Sequence, residues 1–291
     1  MNHNYRLVVT RVLERILFVA QSFVMILTRR ASFARRSEEN CPVCGSRGYR
    51  LRHKGIISNH LSSEWGINAE WVDFFNEREG LICVQCYSPL RSSFMADCLL
   101  HYAAKNSIAA AGTIKELVAS KKFQELIIGE FNKVPGLHAF LSQLPQLYYS
   151  EYGSSDRSIP SEDLMKLSHP GNFFNMILHS ETLEHVPNYR VALGELYRVL
   201  RPGGVCMFTI PIVDDGRQTI SRAEVVNDTV VHHKHPSYHG SSKHKWADYL
   251  VFHEFGIDFI KLIESIGFCV SVFKDAKNPA LICIIAEKPI E

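Results

Sequence analysis

Three groups of residues in this chain have the types and spacing to do chemistry. The first is a pair of C-x-x-C turns, Cys41/Cys44 and Cys83/Cys86. Each turn presents two thiols, and four thiolates at tetrahedral corners are what a zinc ion takes. The second is a polar cluster, Ser180, Glu181, Glu184 and His185, directly after the apolar run FFNMILHS. The third is VHHKHPSYHG with the nearby pair His253-Glu254, which brings His232, His233, His235 and His239 into one short stretch. A solvated loop is the simple account of most of these histidines, and no single metal template fits their spacing.

The elements around the second cluster say where it must sit. FFNMILHS reads as a strand, Val191, Leu193, Leu196, Val199 and Leu200 recur at near-helical spacing, and VCMFTIPI reads as the next strand. A strand-helix-strand unit of this length implies parallel pairing through a right-handed crossover. Ligands of such sheets lie beyond the carboxyl ends of the strands. The Ser180–His185 cluster is therefore at a ligand-binding edge, with His185 as a candidate base for a hydroxyl.

LEHVPN followed by ELYRVLRPGG resembles the second half of a class I S-adenosylmethionine-dependent methyltransferase of the type 11-like branch, and the similarity runs over roughly residues 121 to 291. It implies an α/β fold, a Rossmann-like sheet with helices on both faces, and S-adenosylmethionine as cofactor. It also implies site residues. Glu151 in YYSEY matches the ribose carboxylate, Asp163 and Leu164 in SEDLMKL the adenine site, Gly129 and Glu130 the first strand end, and Ser180 and Glu181 the fourth. Asp163 serves equally well as a helix N-cap. Tyr238, His239 and Gly240 with His253 and Glu254 match acceptor-pocket positions, so His239 and His253 are alternative bases. GEFNKVPGLH lacks the tight glycine turn that follows the first strand in this family. No G-x-G-x-x-G follows that strand, which argues against a dinucleotide enzyme.

Composition sets the outer bounds. The 291 residues are 46% hydrophobic, which suits a globular protein of one large and one smaller unit. The net charge of +2 hides an asymmetry: residues 1 to 37 hold seven arginines and one glutamate, and the remainder is net acidic. Nucleic acid is thus a poor partner for the body. Residues 5–30 read as one basic amphipathic helix, too short in its uncharged run to span a bilayer. Docking on protein and lying in a membrane surface are both open readings for it.

The expected organisation is a basic helix over 1–37, a four-cysteine zinc-ribbon-like module over 38–95, a helical connector over 96–120 and a methyltransferase domain over 121–291. The zinc is structural, since four thiolates leave no open position. The insert between the two cysteine turns should add a small helix or hairpin. The expected acceptor is a hydroxyl or amine on a small molecule, sugar or lipid-linked compound, in the cytoplasm or at the inner face of a membrane. The altered first turn keeps a second reading open, a methyltransferase-like scaffold that binds a partner or membrane.

Overall fold

The computed structural model describes residues 38–51, 56–239 and 249–290, so the basic helix expected at 5–30 lies outside the described residues. In chain order the elements are β1 (Tyr49–Leu51), α1 (Asn59–Trp65), α2 (Ala69–Gly80), β2 (Leu81–Cys83), α3 (Leu90–Lys105), α4 (Ile114–Leu117), α5 (Lys121–Gln124), β3 (Ile128–Phe131), α6 (His138–Leu141) and β4 (Leu147–Ser150). There follow β5 (Phe174–Ser180), a 3-10 turn (Leu183–His185), α7 (Tyr189–Val199), β6 (Leu200–Thr209), β7 (Ile220–Ser221), β8 (Ala223–Val226), β9 (Thr229–His232), β10 (His253–Glu254), α8 (Phe259–Ile266), β11 (Cys269–Lys274) and β12 (Ile282–Glu287).

Six strands form the central sheet in the order β11-β12-β6-β5-β3-β4. The β4-β3-β5-β6 block is parallel, and β12 and β11 join it antiparallel. This is the Rossmann-like arrangement expected. The chain leaves β3 outward to β4, then crosses back to β5 on the other side of β3. The order reverses between β3 and β5, and that gap is where such sheets hold ligands. No strand or helix lies between Glu151 and Phe173, as expected from a stretch too short to supply both.

Alternation along the strands divides the core in two. Met176, Leu178, Val205, Met207, Cys283 and Ile285 face one side, together with α3 and the residues around the cysteines. Ile177, Cys206, Phe208, Ile282 and Ile284 face the other, under α7 and α8. Cys41, Val43, Tyr49, Leu81 and Cys83 belong to the first cluster, so the cysteine turns share a hydrophobic core with one face of the sheet.

Local chemistry explains the helix ends. Ser58, Asn68 and Asn188 cap α1, α2 and α7 through their side chains, and Gly66 and Gly267 close α1 and α8 at positive φ. Several sequence boundaries shift. FQELIIGEF is a strand only from Ile128, because Lys121–Gln124 turns helical behind Ser120. The helix read in PGLHAFLSQL shrinks to His138–Leu141. α7 ends at Val199, and Arg201–Gly204 forms the irregular start of β6. The insert between the cysteine turns forms two helices, α1 and α2, where a small helix or hairpin was expected. Among the described residues no helix is long and apolar enough to cross a membrane.

Candidate active site and cysteine centre

The four cysteines converge. The Sγ atoms of Cys41 and Cys86 are 3.6 Å apart and those of Cys44 and Cys83 are 3.7 Å apart. All four sulfurs lie within 4.8 Å of one another. Four sulfurs each about 2.3 Å from a zinc ion at tetrahedral angles are roughly 3.8 Å apart, so the set fits zinc as built. Hydroxyls support it: Ser46 Oγ lies 3.1 Å from Cys44 Sγ and 3.2 Å from Cys83 Sγ, and Ser88 Oγ lies 3.0 Å from Cys86 Sγ. The hydrogen bond from the Cys86 thiol brings the Cys41 pKa down to about 5 against the opposing effect of burial.

A cavity of about 630 Å³ opens at the carboxyl ends of β3, β4 and β5. Glu151, Asp163, Leu164, Ser180, Glu181, His185 and His239 all line it. Glu151 follows β4, and one of its oxygens accepts a hydrogen bond from the Tyr149 hydroxyl. Burial and the adjacent carboxylate push the Tyr149 phenol up, so its hydroxyl stays a donor. Asp163 caps no helix; its Oδ1 accepts from the Met165 amide at 2.8 Å in a local turn. Leu164 is buried beside it.

Two residues expected against the cofactor are elsewhere. Glu130 is fully buried and does not line the cavity. Its carboxylate accepts from the Val134 amide at 2.9 Å and from His138 Nδ1 at 2.6 Å, so it holds the loop after β3. Gly129 also lies off the cavity, and a Cβ there would meet the Phe174 ring at 3.2 Å, which makes it a packing glycine. His253 donates from Nε2 to the Pro187 carbonyl at 3.1 Å and borders a separate, much smaller pocket. His233 and His235 sit beside Glu224 and Glu64, and only His239 of the histidine-rich stretch reaches the cavity.

The missing glycine turn has a structural substitute. Asn132, next after β3, takes a φ of 63°. Asparagine tolerates this left-handed conformation better than most residues. Its amide bonds Ser150 O at 2.9 Å, and its Oδ1 accepts from Tyr152 N at 3.1 Å, so it ties β3 to β4 at the cavity floor. Gly136 then turns at a φ of 82° against Ser88. Asparagine after an apolar strand was the available signal for Asn132.

An arginine network brings a wall of the cavity from the cysteine region. Arg78 of α2 is only 1% exposed and bonds Glu181 at 2.9 Å and Glu79. Arg91 of α3 bonds Glu79 and reaches Ser180 Oγ at 3.2 Å. Burial would raise Glu181, but the charge and hydrogen bonds of Arg78, with help from Arg91, bring it down to about 2. Glu184, one turn on, is buried, and burial together with the Glu181 charge raises its carboxyl well above the usual range. Burial lowers both cavity histidines, and repulsion between the two rings were both protonated adds to it, taking His239 down to about 3. Neither imidazole carries a proton at neutral pH, and His239 is too weak to serve as a strong base.

A family model described as a methyltransferase domain matches residues 53–258. Similar solved structures include an S-adenosylmethionine-dependent methyltransferase from Mesorhizobium loti, with 15% identity over 56% of this chain and 91% of that chain at a TM-score of 0.36. Another is the 1,6-didemethyltoxoflavin-N1-methyltransferase of Burkholderia thailandensis, with bound 1,6-didemethyltoxoflavin and S-adenosylhomocysteine. It shows 12% identity over 69% of this chain and 87% of that chain, at a TM-score of 0.38. Both likenesses are distant, and the family model carries the assignment. No curated protein matches the chain.

Proposed function

Because this chain belongs to the methyltransferase-domain family and is an S-adenosylmethionine-dependent methyltransferase, we propose that it methylates a hydroxyl group of a small-molecule, sugar or lipid-linked acceptor held in the cavity at the tips of β3, β4 and β5. The observation that carries this is the shared lining: Glu151, Asp163 and Leu164 open onto the same space as His185, His239, Tyr238 and Tyr249.

When bound, S-adenosylmethionine supplies a methyl group on a positively charged sulfur. The residues present fit it. Glu151 has a carboxylate oxygen to accept ribose hydroxyls, as an acid at a strand end does for nucleosides. Leu164 and Met165 give the base an apolar slot, with Asp163 as the polar edge. Glu181, kept ionised by Arg78, and Ser180 close the β5 side.

On the acceptor side, Ile57, Leu61, Trp65 and Phe75 from the insert contribute apolar wall. The imidazoles of His185 and His239 face the same space and can aim the oxygen of an incoming hydroxyl. Placing a nucleophile in line with a methyl group supplies much of the rate by itself. The excess of arginine in residues 1 to 37 supports delivery of acceptor at an anionic surface.

The test is methyl transfer from labelled S-adenosylmethionine to matched panels of alcohols, amines and oligonucleotides. The proposal expects label in alcohols or glycans. Label confined to amines or nucleic acid would overturn the oxygen acceptor.

A further inference from the structure

Among the described residues, Glu184 is a buried carboxylate with no cation of its own. It is fully buried, and neither Oε1 nor Oε2 has a hydrogen-bond partner among the described residues. The nearby charges are already spent: Arg78 and Arg91 are matched by Glu79 and Glu181. A buried carboxylate without a donor or counter-charge is costly unless it takes up a proton or a bound ion completes it.

Two imidazoles converge on it. His185 Nε2 lies 3.7 Å and His239 Nδ1 lies 3.9 Å from the same oxygen, Glu184 Oε1. One donor atom from each residue fits within 4.8 Å of the others. Ligand atoms about 2.1 Å from a shared ion lie roughly 3.0 to 3.4 Å apart; a contraction of a few tenths of an ångström brings Glu184 Oε1 to that spacing from both imidazoles, and the two ring nitrogens, within 4.8 Å of each other, close by about 1.4 Å at most. His185 donates from Nδ1 to the Leu250 carbonyl at 3.0 Å. That bond fixes the tautomer with a free lone pair on Nε2, the arrangement found behind metal-ligating histidines. Both imidazoles line the cavity, so an ion held here would face it.

We propose that Glu184, His185 and His239 form a binding site for a divalent transition-metal ion, distinct from the four-cysteine centre, with coordination positions open to the acceptor cavity. Two imidazoles and one carboxylate suit manganese, iron, cobalt or zinc in the divalent state. Its role rests on the oxygen-acceptor reading above. An acceptor hydroxyl bound at an open position loses its O–H proton to solvent more readily. The oxygen then forms the new O–CH₃ bond as the S–CH₃ bond breaks, its electron pair returning to sulfur. Glu181 stays with Arg78 and is not counted as a ligand.

The experiment uses the full chain with zinc retained on the cysteines. Mn²⁺ is titrated and followed by electron paramagnetic resonance, since thiolates take Mn²⁺ poorly. The same samples are titrated with S-adenosylhomocysteine. One saturable Mn²⁺ per chain is expected, weakened tenfold or more in Glu184→Gln and in His239→Ala, with S-adenosylhomocysteine binding kept as the sign of intact folding. Absence of saturable Mn²⁺ binding in the wild type, or equal binding in both variants, overturns the site while leaving the cofactor reading untouched. Mn²⁺ binding without methylation of any alcohol overturns the oxygen acceptor and leaves the site.

Discussion

Gly136→Ala tests how the cysteine centre braces the cofactor-side loop. Gly136 has a φ of 82°, and a Cβ there would lie 1.9 Å from Ser88 Oγ and 2.7 Å from Ser88 Cα. The left-handed backbone costs an L-residue about 1 to 2 kcal/mol. The contact adds overpacking of about 1 to 3 kcal/mol, and since backbone is involved no rotamer change can relieve it. The sum is about 2 to 5 kcal/mol, or a fall in melting temperature of roughly 3 to 8 °C for a chain of this size. Gly153→Ala is the control: its φ is 62° and nothing lies within 4 Å of the added Cβ. It should show the backbone cost alone. Thermal melts of both variants, with zinc content measured alongside, give the difference. Equal melting temperatures would refute the claim that Ser88 packs on this turn.

Zinc is the second test. Protein purified without added metal should carry about one zinc per chain, and chelation or Cys41→Ser should lower the melting temperature of the whole chain, because Cys41 and Cys83 sit in the same cluster as the sheet. Loss of helix signal without a shift in the main transition would contradict this. The third concerns His179, fully buried in β5, with both ring nitrogens unpartnered among the described residues and the ring stacked on Phe208 at 4.6 Å. Burial lowers its pKa from 6.5 to about 3. The unfolded chain then binds the proton first, so stability is present above pH 6.5 and is lost as pH falls toward 3. At pH 5 that loss is about 2 kcal/mol. His179→Leu should keep that stability in melts at about pH 5 relative to about pH 7, and an unchanged acid limb would count against it.

The strands from Phe174 to Thr209, the last helix and the two cysteine turns were legible because their signals are local: apolar runs, a glycine cap at Gly267, and thiols at fixed spacing. Of the residues expected at the site, Glu151 and Glu181 were placed by their positions at strand tips and Asp163, Leu164 and His239 by the family resemblance, and all five line the cavity. Glu130 carried the right charge at the right place, yet its carboxylate turned inward, because the amide of Val134 and the ring of His138 offered partners that no pattern reveals. Arg78 was invisible for a different reason. It meets Glu181 across 103 residues of chain, and only the tertiary packing of α2 joins them. His239 was singled out from its neighbours by the family resemblance, and the loop brings it beside His185, with ring centroids 4.9 Å apart.

The central claim is that the cavity at the tips of β3, β4 and β5 grips the nucleoside of the methyl donor. Calorimetric titration of S-adenosylhomocysteine into wild type and Glu151→Ala tests it directly. Wild type should bind saturably at one site per chain, and the variant should bind at least tenfold more weakly, the loss of about 1.4 kcal/mol expected when a charged acceptor is removed. Full affinity in Glu151→Ala, or no binding to folded wild type, would contradict the account.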